Sequence, residues 1–144
     1  MNSMTRLRFP YTEVVNTFTS QHSDGWIKSA IRIGEEDVAC ALYDDDRRCM
    51  AVGFLRGWEP RWEHKCLGLI VHQDARGRGY GSLMLRFLET IARDKGETKL
   101  RLHVDPQNHK ARKLYEKNYW YPYGRRENGE LIYYKMLHNS RSRV

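Results

Sequence analysis

Apolar residues recur with two different periods along this chain, and the switches between those periods mark out its elements. From Tyr11 to Ser20 the apolar positions fall at helical spacing. Trp26 to Ile33 carries apolar residues without a clean period, and a second helix is the expectation there. Val38 to Tyr43 and Cys49 to Leu55 are short apolar runs parted by the acidic turn Asp44-Asp45-Asp46, which predicts a hairpin. Lys65 to His72 reads as a third strand, preceded by the aromatic loop Gly57-Trp58-Glu59-Pro60-Arg61-Trp62. Tyr80, Leu83, Met84, Phe87, Leu88 and Ile91 then return at the helical repeat, with Arg86, Arg93 and Lys95 on the polar side and Gly96 as the stop. Such a stripe has to be buried against a sheet. Leu100 to Val104 predicts a further strand ended by Asp105-Pro106, and Asn108 opens a helix whose apolar positions include Ala111, Leu114 and Tyr115. Trp120 to Arg125 and Leu131 to Leu137, split by Glu127-Asn128-Gly129, predict a closing hairpin.

Helix, hairpin, strand, helix, strand, helix, hairpin is the order of an α+β fold with a mixed, mostly antiparallel central sheet flanked by helices. A length of 144 residues with 40% apolar content suits a single domain over residues 1–144, and no repeat, low-complexity tract or linker divides it. The longest uncharged apolar run, Cys66 to Val71, is too short to cross a bilayer, and the N-terminus lacks the apolar core of a signal peptide. A cytoplasmic protein with no membrane partner is therefore expected. The three cysteines, Cys40, Cys49 and Cys66, show neither C-x-x-C nor zinc-ligand spacing, so reduced thiols and no metal site are expected. Cys40 and Cys49 flank the first hairpin turn and are candidates to face each other across it.

Charge changes the picture because it is unevenly placed. Residues 1–72 carry 9 Lys/Arg against 10 Asp/Glu, whereas residues 73–144 carry 16 against 8, so the net charge of +7 is −1 in the first half and +8 in the second. That half is suited to a polyanionic partner, either a phosphate-bearing cofactor or nucleic acid.

The segment Val71-His72-Gln73-Asp74-Ala75-Arg76-Gly77-Arg78-Gly79-Tyr80-Gly81-Ser82 joins an apolar strand directly to the amphipathic helix. Backbone N–H groups at a helix start lack internal partners and carry the positive end of the dipole, and a glycine-rich approach lets phosphate oxygens reach them. Arg76 and Arg78 add charge at that point. A dinucleotide fingerprint would need glycine where Ser82 stands, and no Gly-Lys pair completes a Walker A loop.

This turn resembles the R/Q-x-x-G-x-G/A motif of the GNAT N-acetyltransferase family, with Arg76, Gly79 and Gly81 at its fixed positions. The resemblance continues in the segment from Asn108 to Tyr119, which looks like the family's second signature, N-x-x-A-x-x-L-Y-x-K-x-G-F. Asn108, Ala111, Leu114, Tyr115 and Lys117 match it, while Asn118 stands for the usual Gly and Tyr119 for the usual Phe. Asn tolerates the left-handed conformation that ends a helix, and Tyr keeps the ring. The similarity spans about residues 37–137, with the family's first strand reduced to Met4–Phe9.

The resemblance implies acetyl-CoA as acetyl donor, its pyrophosphate held by Arg76, Gly77, Arg78, Gly79, Tyr80, Gly81 and Ser82, with Asn108 and Ala111 contributing from the next helix. Its pantetheine would lie in a gap beside the central strand, bonded to main chain near Ile70 and Val71 as an added strand would be. A primary amine of the acceptor, a small molecule or a peptide, would attack the thioester directly, with Tyr115 as the acid that serves the departing sulfur. The central-strand positions that usually carry the base hold Lys65 and Leu67 here. His103 on the next strand is the first candidate for the base, and Glu63 and His64 are the others. A basic nucleic-acid-binding module and a CoA-binding fold without turnover are the alternatives. No nucleic-acid-binding signature is present, nucleic acid is not the expected partner, and a homodimer is left open.

Overall fold

The computed structural model describes residues 2–27 and 30–138. Its elements run β1 (Ser3–Arg6), α1 (Thr12–His22), β2 (Val38–Tyr43), β3 (Cys49–Trp58), β4 (Arg61–Val71), α2 (Tyr80–Asp94), β5 (Lys99–Val104), α3 (His109–Lys117), β6 (Tyr121–Arg125) and β7 (Leu131–Met136). The strands form one sheet in the order β1-β2-β3-β4-β5-β7-β6. Every neighbouring pair is antiparallel except β4 and β5. This is the mixed, mostly antiparallel α+β architecture that the periodicities predict.

Alternation along the strands divides the core between the two sheet faces. Leu42, Leu55, Leu67, Leu100, Leu102 and Tyr133 pack on one face with Met84, Leu85 and Leu88 of α2 and Tyr115 of α3. On the other, Ala39, Ala41, Val52, Phe54 and Ile70 pack with Val15 and Phe18 of α1. Gly53 lets α2 approach β3 closely, since a Cβ there would lie 2.7 Å from Leu88 Cδ1 and Met84 Sδ.

The first hairpin turns where the acidic triplet predicts. Asp44 Oδ1 accepts from the N–H groups of Asp46 and Arg48 at 2.9 Å each, and Arg47 takes φ 61°. Cys40 and Cys49 do not face each other across it. Cys40 lies opposite Gly53 and Cys49 opposite Tyr43, because Cys49 stands at the turn end of the hairpin and Cys40 farther down β2.

The second helix expected over Trp26–Ile33 is not there among the described residues, and Lys28 and Ser29 lie outside them. Asp24 and Gly25 take φ 56° and 78°, which no continuing helix allows. Beyond them Ile31 and Ile33 are buried and Arg32 is exposed, an alternation of period two. The Asn16 side chain fixes that extended run by accepting from Ile31 N at 2.7 Å and donating to Ile31 O at 2.9 Å.

The aromatic loop between β3 and β4 is shorter than the letters imply, with Trp58 and Arg61 already paired as strand neighbours. Asp37 makes the tight turn possible. Its buried carboxylate accepts from the N–H groups of Gly57, Trp58 and Glu59 at 2.9–3.2 Å and from Gly34 N at 2.9 Å. At the end of α3 the left-handed residue is Tyr119, at φ 68°, while Asn118 sits at φ −99°. The ring that plugs the core is that of Trp120, which has no exposed surface. The helix stop and the buried ring therefore each fall one residue later than Asn118 and Tyr119, on Tyr119 and Trp120, which is where the signature counted from Asn108 puts its Gly and its Phe. The first strand is likewise shorter than Met4–Phe9, ending at Arg6.

Candidate active site

β4 and β5 are in register only at Cys66 and Arg101. Beyond that pair they separate, whereas β4 stays paired with β3 as far as Val71. His72 N donates to Met50 O at 2.8 Å, toward β3. Alternation then directs the backbone groups of Leu69 and Val71 toward β5, beyond the Cys66–Arg101 bridge, where no strand pairs with them. Val71, with Leu69, thus offers free main-chain donors and acceptors to an extended ligand, whereas the main chain of Ile70, expected to share that task, faces Val52 on β3.

The glycine turn closes the far end of this gap. Among the described residues, no hydrogen bond uses the N–H groups from Arg76 to Ser82 as donors. Gly77 and Gly79 take φ 79° and 86°, and nothing lies within 4 Å of where a Cβ would stand on either, so the approach to those N–H groups is open. Such a cradle of unsatisfied donors at the start of the 15-residue α2 fits a pyrophosphate. Arg78 is exposed and unpaired beside it.

The remaining residues of the turn hold it in place. Arg76 points back to the end of α1, bonding Asp24 and the His22 carbonyl, and reaches Val71 O at 3.4 Å. Its guanidinium lowers the Asp24 pKa, chiefly through the hydrogen bond between them. His22 and His72 stack at 3.9 Å, and their Nδ1 atoms accept from Gln73 N and Asp74 N. Ser82 Oγ accepts from Asn118 Nδ2 at 3.1 Å, and a Cβ on Gly81 would lie 3.0 Å from Leu114 Cδ2, so both seat α2 against α3. Tyr80 packs on the core.

Across the gap, Asn108 caps α3 by accepting from Ala111 N at 3.3 Å, and Ala111 packs against the core. Tyr115, two turns in, is 7% exposed, with its ring 6.3 Å from that of Trp120 and 6.2 Å from that of Tyr133. Burial pushes its phenol well above the ordinary range. The sealed, unpartnered side-chain polar atoms among the described residues are Thr19 Oγ1 and Arg56 Nε. Tyr115 Oη has no partner either, yet it is not one of them, so it keeps access to solvent.

His103 lies on the sheet face turned away from α2, since its neighbours Leu102 and Val104 are in the α2 core. Its Nε2 accepts from Arg101 Nε at 3.0 Å. Burial lowers its pKa to about 4, with Arg126 and Arg101 adding to the shift. The imidazole is therefore neutral at pH 7, with its Nε2 lone pair engaged. Lys65 is buried and donates to Trp62 O at 2.8 Å, which ties down the hairpin tip, and Leu67 is in the core. Glu63 and His64 line a shallow hollow of about 160 Å³ with Lys99, Arg101 and Tyr134.

A group that the motifs do not mark is the row Arg56, Cys66, Arg101 and Tyr134, neighbours across β3, β4, β5 and β7. It runs over the foot of the gap. A sequence signal for it exists: Arg56 breaks the apolar run after Leu55, and Arg101 and His103 are two apart on one strand face.

Known structures share this fold. The ribosomal-protein-S18-alanine N-acetyltransferase of Escherichia coli matches with a TM-score of 0.74 at 15% identity, covering 100% of this chain and 99% of that one. An N-acetyltransferase of Staphylococcus aureus Mu50 matches with a TM-score of 0.75 at 16% identity, covering 96% and 99%. For yncA of Salmonella typhimurium, solved with its cofactor acetyl-CoA, the TM-score is 0.76 at 10% identity, covering 96% and 95%. At such identities the likeness speaks for the fold alone, and no curated protein matches the chain by sequence. The sequence model of one family matches residues 2–119, over the parted strands, the glycine turn and α3 up to its left-handed stop, and the chain accordingly belongs to the acetyltransferase (GNAT) family.

Proposed function

We propose that this protein moves the acetyl group of acetyl-CoA to a primary amine by direct attack of the amine on the thioester carbonyl. The observation that carries the reading is the line from unsatisfied N–H groups at the start of α2, through the unpaired edge of β4 at Val71 and Leu69, to the free hydroxyl of Tyr115. A pyrophosphate, an extended amide chain and a thioester sulfur need those groups in that order. Gly77, Arg78, Gly79 and the N–H groups of Tyr80 to Ser82 would hold the phosphates and the main chain of Val71 and Leu69 the pantetheine, with Asn108 and Ala111 shaping the near end of α3 across from it. Arg76 acts by fixing the turn to α1.

In the transfer the N–C bond forms and the C–S bond breaks. N–H groups of β4 that face the gap are placed to polarise the carbonyl. Tyr115, kept protonated by burial, donates its hydrogen bond to the departing sulfur. On the amine side stands His103, unprotonated at neutral pH but a weak base. The positive surroundings that lower its pKa also lower that of an ammonium brought beside it, so the amine loses its proton more readily. A panel of primary amines incubated with acetyl-CoA, with free thiol measured over time, tests the proposal. Amine-dependent thiol release is expected. Tight acetyl-CoA binding with no release above hydrolysis for any amine would instead identify a CoA-binding fold without turnover.

A further inference from the structure

The acceptor side of the sheet holds more positive charge than its own carboxylates neutralise. Arg56, Cys66 and Arg101 are cross-strand neighbours, so the two guanidinium groups flank one thiol on the face turned away from α2, with Tyr134 next in the row. Adjacent strands lie about 4.8 Å apart, which puts the two arginine Cα atoms roughly 10 Å from each other, within reach of one small anion from both sides. Every Asp and Glu of the chain lies among the described residues, and none of them pairs with either arginine. The Arg56 side chain makes no hydrogen bond among the described residues. Its Nε is sealed, and its guanidinium lies 5.5 Å from the Trp62 ring and 5.4 Å from that of Phe54. Arg101 donates to His103 Nε2 and, at 3.4 Å, to Tyr134 Oη, both neutral partners.

Nearby carboxylates are otherwise engaged. Glu130 pairs with Arg126 at 2.8 Å, and Asp37 accepts four backbone N–H groups. Lys99 adds another cation, 4.7 Å from the Tyr134 ring. An unpaired guanidinium in such a partly buried place is costly unless an anion from outside completes it.

We propose that the acceptor bears an oxyanion, a carboxylate or phosphonate close to its amino group, and that Arg56 and Arg101 hold it at the foot of the gap between β4 and β5. The inference rests on the acetyl-transfer reading, which puts the acceptor amine on the His103 side of the sheet. It also resolves a conflict of charge. A simple ammonium would enter a field of like sign, whereas the anion of a zwitterionic acceptor offsets the repulsion and leaves the amine turned toward the carbonyl. Arg guanidinium groups suit the task because their planar forks match a carboxylate or phosphonate with two parallel hydrogen bonds.

The test compares β-alanine, 2-aminoethylphosphonate and propylamine as acceptors for the wild-type protein, Arg56→Met, Arg56→Lys and Arg101→Met. For the wild type, one or both acidic amines should exceed propylamine in kcat/KM by about tenfold or more, the worth of one charge-assisted contact. Which of the two leads tells the carboxylate from the phosphonate. Arg56→Met should remove most of that preference through KM and Arg56→Lys should restore part of it. Calorimetric titration of β-alanine and 2-aminoethylphosphonate into the CoA-bound protein is the second arm and needs no turnover. Heat that disappears in Arg56→Met supports the site even if no amine is acetylated, a result that would count against the acetyl-transfer reading alone. Equal kcat/KM for propylamine and both acidic amines, or acidic-amine binding unchanged in both methionine variants, overturns the inference.

Discussion

His103 gives the structure a pH dependence that can be worked out. The folded protein holds its pKa at about 4 against an ordinary 6.5, first through burial and then through Arg126 and Arg101. As pH falls below 6.5 the unfolded chain takes up a proton on this residue and the folded chain does not, so stability rises with pH across that window and is lost as pH falls through it. Linkage converts the gap into a loss of about 2 kcal/mol between about pH 7 and about pH 5, tending to about 3 kcal/mol below pH 4. His103→Gln removes the titration and keeps an oxygen for Arg101 Nε to bond. Urea denaturation followed by circular dichroism at pH 7, 6 and 5 isolates the effect as a double difference, in which His22 and the carboxylates cancel. The wild type should lose about 2 kcal/mol more than His103→Gln over this range. Parallel losses in the two proteins would show that His103 titrates normally, and would remove both its burial and the positive field around it from the account.

Asp37→Ala should destabilise the fold by about 3 kcal/mol or more in the same denaturation assay, because several N–H groups around the β3–β4 turn lose their acceptor. A change below about 1 kcal/mol would mean that water replaces the carboxylate freely. Tyr115→Phe keeps the ring between Trp120 and Tyr133 and should leave acetyl-CoA affinity and melting temperature near wild type. Turnover should fall about 10- to 1000-fold, and an unchanged single-turnover rate would reduce Tyr115 to packing.

Where one local cause decides, the letters foretell the structure. The Asp44 turn follows from its own side chain, the α2 boundaries from periodicity and Gly79, and the α3 start from Asn108. Trp26–Ile33 misleads because its conformation is imposed from α1 by Asn16, a partner 15 residues away that no local pattern reveals. At the end of α3 the letters did place the stop: the signature counted from Asn108 puts its Gly on Tyr119 and its Phe on Trp120, and what no local pattern shows is that Trp120 reaches Glu89, whose buried carboxylate binds its Nε1 at 3.1 Å and Lys135 at 2.7 Å. The glycine turn was legible as an open approach to the start of α2, but the contacts of Arg76, Gly81 and Ser82 within it were not, since each bonds or packs against an element distant in sequence. The Arg56, Cys66, Arg101 row depends on strand order, which no single segment encodes.

The central claim is that the free N–H groups ahead of α2 bind the phosphates of acetyl-CoA. Gly79 lies at φ 86° with open space where its Cβ would stand, so Gly79→Glu strains the turn and sets a carboxylate against the incoming phosphates. Isothermal titration of acetyl-CoA into wild type and Gly79→Glu is the direct measurement, with circular dichroism confirming that both are folded. The account predicts saturable binding to the wild type and none detectable in the variant. Equal affinities in the two folded proteins, or no binding to the wild type, would contradict it.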